Sequence, residues 1–401
     1  MAVDDQPATI SPLEALLELT RSASEDSLGL VLESVADTIH QTAGYATVAL
    51  NVFRLAWDDY KAVLVIGTPE SRAALQGTTT SRAAIEQLSA VQRGRLPGVF
   101  FLTAESTEWT RFETVWTPEL DRSDDPEAWQ SEDGLVVMLS DADGEPLAFV
   151  SVDEPVSGLR PTDEELRVLR AICSHAAQAL GGARRAAQAA ENQRMLSLLI
   201  AASPKLSASA TTRELLAAAA DTVVPALGFE RFAAYSAGNG RAMHLALTRG
   251  WQSDRHLAPA LSVRRIEALL TPGRERGGCW LLPASELFGR SSHRCQPRSR
   301  RNGRGPAAWK DHCLVVPWRM SGDSLRGLIV IEDPIDRLRP SDDRRRAARL
   351  LLDLASAAQD GIDHQARLAH LANHDPLTGV RNRRALDELV DAERDVALLL
   401  C

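Results

Sequence analysis

Cys279, His293, Cys295, His312 and Cys313 form the densest group of metal-ligating side chains in the sequence. Thiolate and imidazole are the donors that zinc and other borderline metals select. Their spacing matches no compact zinc pattern, so the expectation is buried cysteine mixed with loop histidine. The segment "GRSSHRCQPRSRRNGRG", from Gly289 to Gly305, holds six arginines and few apolar residues. It has the charge to grip phosphate, but no aromatic residue interleaves to stack a base. A solvated loop is expected there, and nucleic acid is not the expected partner. Eight tryptophans (Trp57, Trp109, Trp116, Trp129, Trp251, Trp280, Trp309 and Trp318) are candidates for pocket walls or for packing.

These residues belong to a 401-residue chain that is 44% hydrophobic and 25% charged, which is globular composition and enough for two domains. The net charge of −9 argues against general binding to nucleic acid or membrane. The start, "MAVDDQPATI", lacks the apolar core of a signal peptide, and no apolar run reaches the roughly 18 residues of a membrane span. Five scattered cysteines, an odd number, suit a reduced, cytoplasmic protein.

An internal repeat supplies the elements. "LVVMLSDADGEPLAFVSVDEPVSGLRPTDEEL" from Leu135 aligns without a gap with "LVVPWRMSGDSLRGLIVIEDPIDRLRPSDDRR" from Leu314. Each reads as strand, polar turn, strand, Asp-Pro or Glu-Pro punctuation, a Thr162 or Ser341 cap with acids behind it, and a long helix. Upstream, "VLESVADTIHQTAGYATVALNVF" matches "LLAAAADTVVPALGFERFAAYSA", with Gly44 opposite Gly228 as a helix stop. Asn239-Gly240 marks a hairpin. Two copies of one α+β domain follow, each an antiparallel sheet flanked by helices. The expected boundaries are a cap at 1–23, domains at 24–180 and 207–362, a helical linker at 181–206, and a signalling helix ending over 363–374.

After the first copy, Leu166, Leu169, Cys173, Ala176, Leu180, Ala183, Ala187 and Ala190 fall at alternating steps of three and four. Leu351, Ala355, Ala358, Ile362, Gln365, Ala369 and Ala372 repeat this after the second. Such seams predict a homodimer through the linker helices; the alternative is a single amphipathic helix packed on its own domain. Gly181-Gly182 is expected to mark a kink or a boundary.

The second helix runs into "NHDPLTGVRNRRALDEL", from Asn373 to Leu389. The proline at 376 disfavours helix at Asp375, and Thr378-Gly379 permits a tight bend. Leu377 can plug what the bend covers, Asn382 can cap a new helix, and Asp375 can pair with Arg383 or Arg384. "DVALLLC" then reads as a buried strand. Asp375, Leu377, Thr378, Gly379, Asn382, Arg383 and Arg384 closely resemble the entry signature of GGDEF domains, the diguanylate cyclase family, with Val380 in place of a usual leucine. The resemblance implies condensation of two GTP into cyclic di-GMP on a divalent metal, Mg, in the complete protein. It covers about the last 30 residues. The family's metal aspartates would follow the strand near Cys401, so the chain is expected to contain only the first helix and strand of that domain, with no catalytic residue and no cofactor of its own.

The two repeats resemble GAF domains, on the long helices and the closing hairpins "GEPLAFVSVDEP" and "DSLRGLIVIEDP". The long acidic segment "ESTEWTRFETVWTPELDRSDDPEAWQSEDG" is the type that covers a GAF pocket. An unidentified small-molecule or protein ligand is the implied partner. These resemblances imply the sensory region of a diguanylate cyclase; the alternative is a non-enzymatic GAF scaffold with a degenerate output domain.

Overall fold

The computed structural model describes residues 25–91, 96–103, 105–107, 109, 116–121, 123–237, 241–251, 257–289, 299–319, 325–375, 378–383 and 385. The chain divides into two units. The first comprises 1–194 with 301–309 and 336–339, the second 195–300 with 310–335 and 340–401.

In the first unit, helix α1 (Glu25–Thr38) ends in a π-turn closed by left-handed Gly44 at φ 72. Strands β1 (Tyr45–Arg54) and β2 (Asp59–Ile66) form a hairpin. Short elements α2 (Pro69–Leu75), β3 (Thr79–Ser81), α3 (Arg82–Val91) and β4 (Val99–Leu102) precede the second hairpin of β5 (Gly134–Ser140) and β6 (Pro146–Pro155). The sheet order is β3-β2-β1-β6-β5-β4, so the first long strand pairs with the last. Alternation divides its two faces. Val48, Leu50, Val52, Val150 and Val152 join a core with α1 and with helix α4 (Asp163–Ser207). Phe53, Tyr60, Phe149, Phe100 and Val136 form a second cluster with Ile85 and Leu88 of α3.

The second unit repeats the plan. Helix α5 (Thr212–Leu227) stops at left-handed Gly228 and leads into β7 (Phe229–Ala237) and β8 (Ala242–Arg249). The turn at Asn239-Gly240 lies outside the described residues, but the two strands pair antiparallel as the motif predicts. Then come β9 (Ala260–Ser262), α6 (Val263–Leu269), β10 (Glu275–Arg276), β11 (Cys279–Pro283), α7 (Ala284–Phe288), β12 (His312–Arg319) and β13 (Leu325–Pro334). The order is β10-β11-β12-β13-β7-β8-β9, again with first and last long strands adjacent. Helix α8 (Asp342–Asn373) follows. This is the α+β architecture the repeat implies, two antiparallel sheets flanked by helices.

The caps form as read. Thr162 and Glu165 make a reciprocal capping box, with Thr162 N donating to Glu165 Oε2 at 2.8 Å and Glu165 N to Thr162 Oγ1 at 3.3 Å. Ser341 Oγ accepts from Arg344 N at 3.3 Å. Helix α4 continues as helix through Gly181-Gly182. A glycine costs a helix about 1 kcal/mol, and the apolar packing of Leu180 and Ala183 on either side outweighs it. The seam from Leu166 to Leu180 is not free for a second chain, because Leu166, Leu169, Cys173, Ala176 and Leu180 are buried in the first unit's own core. Likewise Leu351 and Ala355 of α8 are buried, while Gln365, Ala369 and Ala372 are exposed.

The two kinds of helical position should respond differently to truncation. Leu169→Ala empties a fully buried site and is expected to destabilise by about 2–5 kcal/mol. Leu196→Ala, half exposed on the same helix, is expected to stay within about 0.5 kcal/mol. Thermal unfolding of both variants checks the assignment of the Leu166–Leu180 stripe to the core.

Candidate functional site

A cavity of about 80 Å³ lies on the face of the first sheet that turns away from α1 and α4. Its floor is Thr47, Ala49 and Asn51 from β1 with Phe149, Ser151 and Asp153 from β6, the alternates of the residues in the helix-side core. Leu75, Thr78, Thr80, Trp109 and Trp116 complete it, from segments that connect the strands. One water-sized group needs roughly 10–15 Å³, so there is room for several such groups but not for a drug-sized ligand, whose pockets start at roughly 300 Å³.

The seat of Trp109 is set by a glycine. A Cβ on Gly134 would fall 2.4 Å from the Trp109 ring carbon Cη2, so a larger residue at the start of β5 would displace the indole. Trp109 Nε1 donates to the Thr103 carbonyl at 3.2 Å, which fixes the ring's edge.

Asp153 is the only titratable side chain among the described residues lining the cavity. Its Oδ1 accepts from Trp129 Nε1 at 2.9 Å and from the Glu154 backbone N at 2.7 Å. Burial pushes its carboxyl up to about 7, against the lowering effect of those two donors, and the Glu154 and Asp133 charges push the same way as burial. Thr47 Oγ1 donates to Glu154 Oε2 at 2.9 Å, next to this site. Glu154 itself adopts a left-handed φ of 53, one residue before β6 ends at Pro155 opposite Tyr45.

The second unit repeats this strand order with one further edge strand, β10, and carries different side chains at the corresponding positions. Register identifies the equivalents: Thr47 pairs with Asp153 across β1 and β6, and Arg231 pairs with Glu332 across β7 and β13. Here each side chain is larger. Arg231 stands for Thr47, Tyr235 for Asn51, Cys313 for Gly134 and Glu332 for Asp153. The Cys313 thiol donates to Glu332 Oε1 at 2.9 Å, and Tyr235 Oη to the Ala258 carbonyl at 3.1 Å. Arg231 Nη1 lies 3.1 Å from Asp333 Oδ2, and its guanidinium sits 4.5 Å from the centre of the Trp251 ring. Asp333 shares the left-handed conformation of Glu154, at φ 56. Burial raises the Glu332 carboxyl to about 8 and the Cys313 thiol well above its ordinary value.

Of the suggested metal donors, His293 and Cys295 lie outside the described residues. Cys279 and Cys313 are buried and bonded separately, Cys279 to the Arg345 carbonyl at 3.3 Å. Among the described residues no group of three or more His, Cys, Asp or Glu is placed to hold a metal. The arginine loop falls largely outside the described residues. Its Ser299 binds Asp333, Oγ to Oδ1 at 2.5 Å.

The turn after α8 is ordered where described. Asp375 Oδ1 accepts from both the N and Oγ1 of Thr378, each at 2.9 Å, and Gly379 N donates to the Asp375 carbonyl at 2.9 Å with Gly379 at φ 70. Asn382 binds back to the helix, N to the Asn373 carbonyl and Nδ2 to the Ala372 carbonyl, both 2.8 Å. Its Oδ1 caps the next segment through Ala385 N at 3.0 Å. Arg383 is exposed one residue beyond this cap. Leu377, Arg384 and the helix and strand expected after them lie outside the described residues. Sequence reading named the turn and the covering tryptophans but not Thr47, Gly134 or Asp153; the signal for these was the size difference at aligned repeat positions.

No protein-family model and no curated protein matches this chain. Among solved structures, a bacteriophytochrome from the photosynthetic bacterium R. palustris aligns with a TM-score of 0.47 and 13% identity, over 84% of this chain and 75% of that one. The GAF domain of a protein described as a sensor histidine kinase from Pseudomonas syringae pv. tomato gives 0.30 and 14%, over 45% and 96%. The GAF domain/HD domain protein from Geobacter sulfurreducens gives 0.29 and 15%, over 42% and 97%. At these scores the likenesses carry no argument, and the fold assignment rests on the strand orders and registers above.

The raised carboxyl of Asp153 gives a signed prediction. Between about pH 4, where the unfolded carboxyl ionises, and about pH 7, the folded state keeps a proton that the unfolded state loses. Its contribution to stability therefore falls as pH rises through that window. Asp153→Asn keeps an oxygen acceptor for Trp129 and Glu154 but cannot ionise. It is expected to be more stable than the parent by about 1–3 kcal/mol at pH 8, with the gap closing towards pH 4. Denaturant titrations across that range check it.

Proposed function

We propose that this chain is the sensory and regulatory region of a cytoplasmic diguanylate cyclase, built on two GAF-type domains. The observation that carries the reading is the junction at the end of α8. Asp375, Thr378, Gly379 and Asn382 form a turn hydrogen-bonded to the last helical turn, and these residue types are those of the cyclase entry signature. The first unit is the sensor, with its cavity as the ligand site. The second, whose equivalent positions are filled by its own side chains, holds the base of α8.

Cyclic di-GMP formation needs two GTP molecules brought face to face with divalent metal, so the pairing of two copies governs the rate. Leu368 and Leu371, 52% and 59% exposed on the outer half of α8, support a homodimer seam there rather than over the buried Leu351 and Ala355. Among the described residues no helix is long and apolar enough to cross a membrane.

A protein carrying this region ahead of a complete GGDEF domain is expected to convert GTP with Mg to cyclic di-GMP, measured by chromatography of the product. Leu368→Glu with Leu371→Glu is expected to shift light scattering from dimer to monomer and to lower product formation by about tenfold or more. Absence of product from that protein, with ligand binding and dimerisation intact, would replace the cyclase reading with the scaffold reading.

A further inference from the structure

The two units differ in how their buried acids are balanced. At the end of each central strand pair stand two consecutive acids, Asp153-Glu154 in the first unit and Glu332-Asp333 in the second. In the second unit a cation answers them. The Arg231 guanidinium is ion-paired to Asp333 at 3.1 Å and lies over the Trp251 ring at 4.5 Å. In the first unit the residue at that strand position is Thr47, which gives Glu154 one hydroxyl hydrogen bond. No Lys, Arg or His is among the described residues lining the cavity there. Lys61, buried on β2, is not part of the lining. Two indoles and a phenyl ring, from Trp109, Trp116 and Phe149, surround the space instead.

A carboxyl with aromatic walls, and no basic residue among its described lining, repels anions and attracts cations through charge and through the negative faces of the rings. The volume of about 80 Å³ limits the guest to a few heavy atoms. We infer that the first unit's cavity takes a small organic cation, an amine or methylated ammonium, held between the Asp153 carboxyl and the indoles of Trp109 and Trp116. The second unit offers a parallel on its neighbouring acid: the Arg231 guanidinium stands between Asp333, the counterpart of Glu154, and the Trp251 ring. Burial that pushes Asp153 up to about 7 marks an acid whose ionised form gains from a cation partner. The inference rests on the reading of the first unit as the sensor, and names what it senses.

Three probes of four heavy atoms each test it: trimethylammonium, acetamide and acetate, titrated calorimetrically into the whole chain at constant ionic strength with tryptophan emission followed in parallel. Trimethylammonium is expected to bind at one site per chain. Asp153→Asn and Trp116→Leu are each expected to weaken it by about tenfold or more. Asp153→Asn preserves the oxygen that Trp129 and Glu154 bind, and Trp116 is only partly buried, so both variants are expected to fold. If acetamide or acetate binds as tightly, or trimethylammonium ignores the Asp153 change, the cation inference is wrong while the cavity remains a ligand site. If no probe shows binding that depends on Asp153 or Trp116, both the inference and the sensor reading of the first unit fall.

Discussion

Antiparallel pairing of the first and last long strands holds each unit together. β1 lies beside β6 and β7 beside β13, although residues 55–145 and 238–324 intervene. Closing so long a loop carries an entropic cost that grows only slowly with length, and the reward is a central ladder of main-chain hydrogen bonds with apolar cores on its faces. Everything at the cavity depends on this register. Thr47 and Asp153 meet because they are Cα partners, and a slip of one residue would send both to the helix-side core. The intervening chain supplies the cover, so Trp109 and Trp116 reach the same space from the chain between β4 and β5.

The same register in the second unit yields a different interior. Replacing Thr, Gly and Asp by Arg231, Cys313 and Glu332 adds volume and hydrogen-bonding groups that satisfy one another. Such a buried polar network is not strong evidence of added stability, since desolvating an acid and a guanidinium opposes their attraction. What it secures is a set of mutual partners for its buried polar groups. The first unit keeps the opposite arrangement: its acid is bonded on one oxygen, Oδ1, and the space beside it is open. A duplicated fold has thus kept its backbone and diverged at positions that face its own interior.

Much of this was legible in the sequence because it is local. The capping box at Thr162, the glycine stops at Gly44 and Gly228, the hairpins and the bend at Gly379 each depend on residues within about five positions of one another. The stripe on α4 is legible as apolar but its partner is not: from Leu166 to Leu180 it packs on the unit's own core, and a helix packed on its own sheet has nearly the same period as one packed on a second chain. The cavity was the hardest to see. Gly134 looks like an ordinary turn residue until Trp109 lies 2.4 Å from where its Cβ would be, and Asp153 looks like punctuation before a proline until the register buries it. Both facts come from pairings across long stretches of chain, which periodicity does not encode.

The turn at Asp375 follows a mechanical logic of its own. A proline-containing bend joined only through its covalent chain would let the next segment swing. Here Asn382 returns two hydrogen bonds, to the carbonyls of Ala372 and Asn373, which are among the helix-end acceptors that α8 cannot satisfy internally. The bend therefore completes the helix terminus rather than hanging from it. Rotating or sliding α8 must carry Asn382 with it, or break two bonds whose carbonyls would otherwise need water. The Asp375 carboxylate closes the other side by binding Thr378 through both backbone and hydroxyl. Hydrogen bonds thus tie both Asp375 and Asn382 of the bend, and Asn382 Oδ1 carries the tie on to Ala385 N.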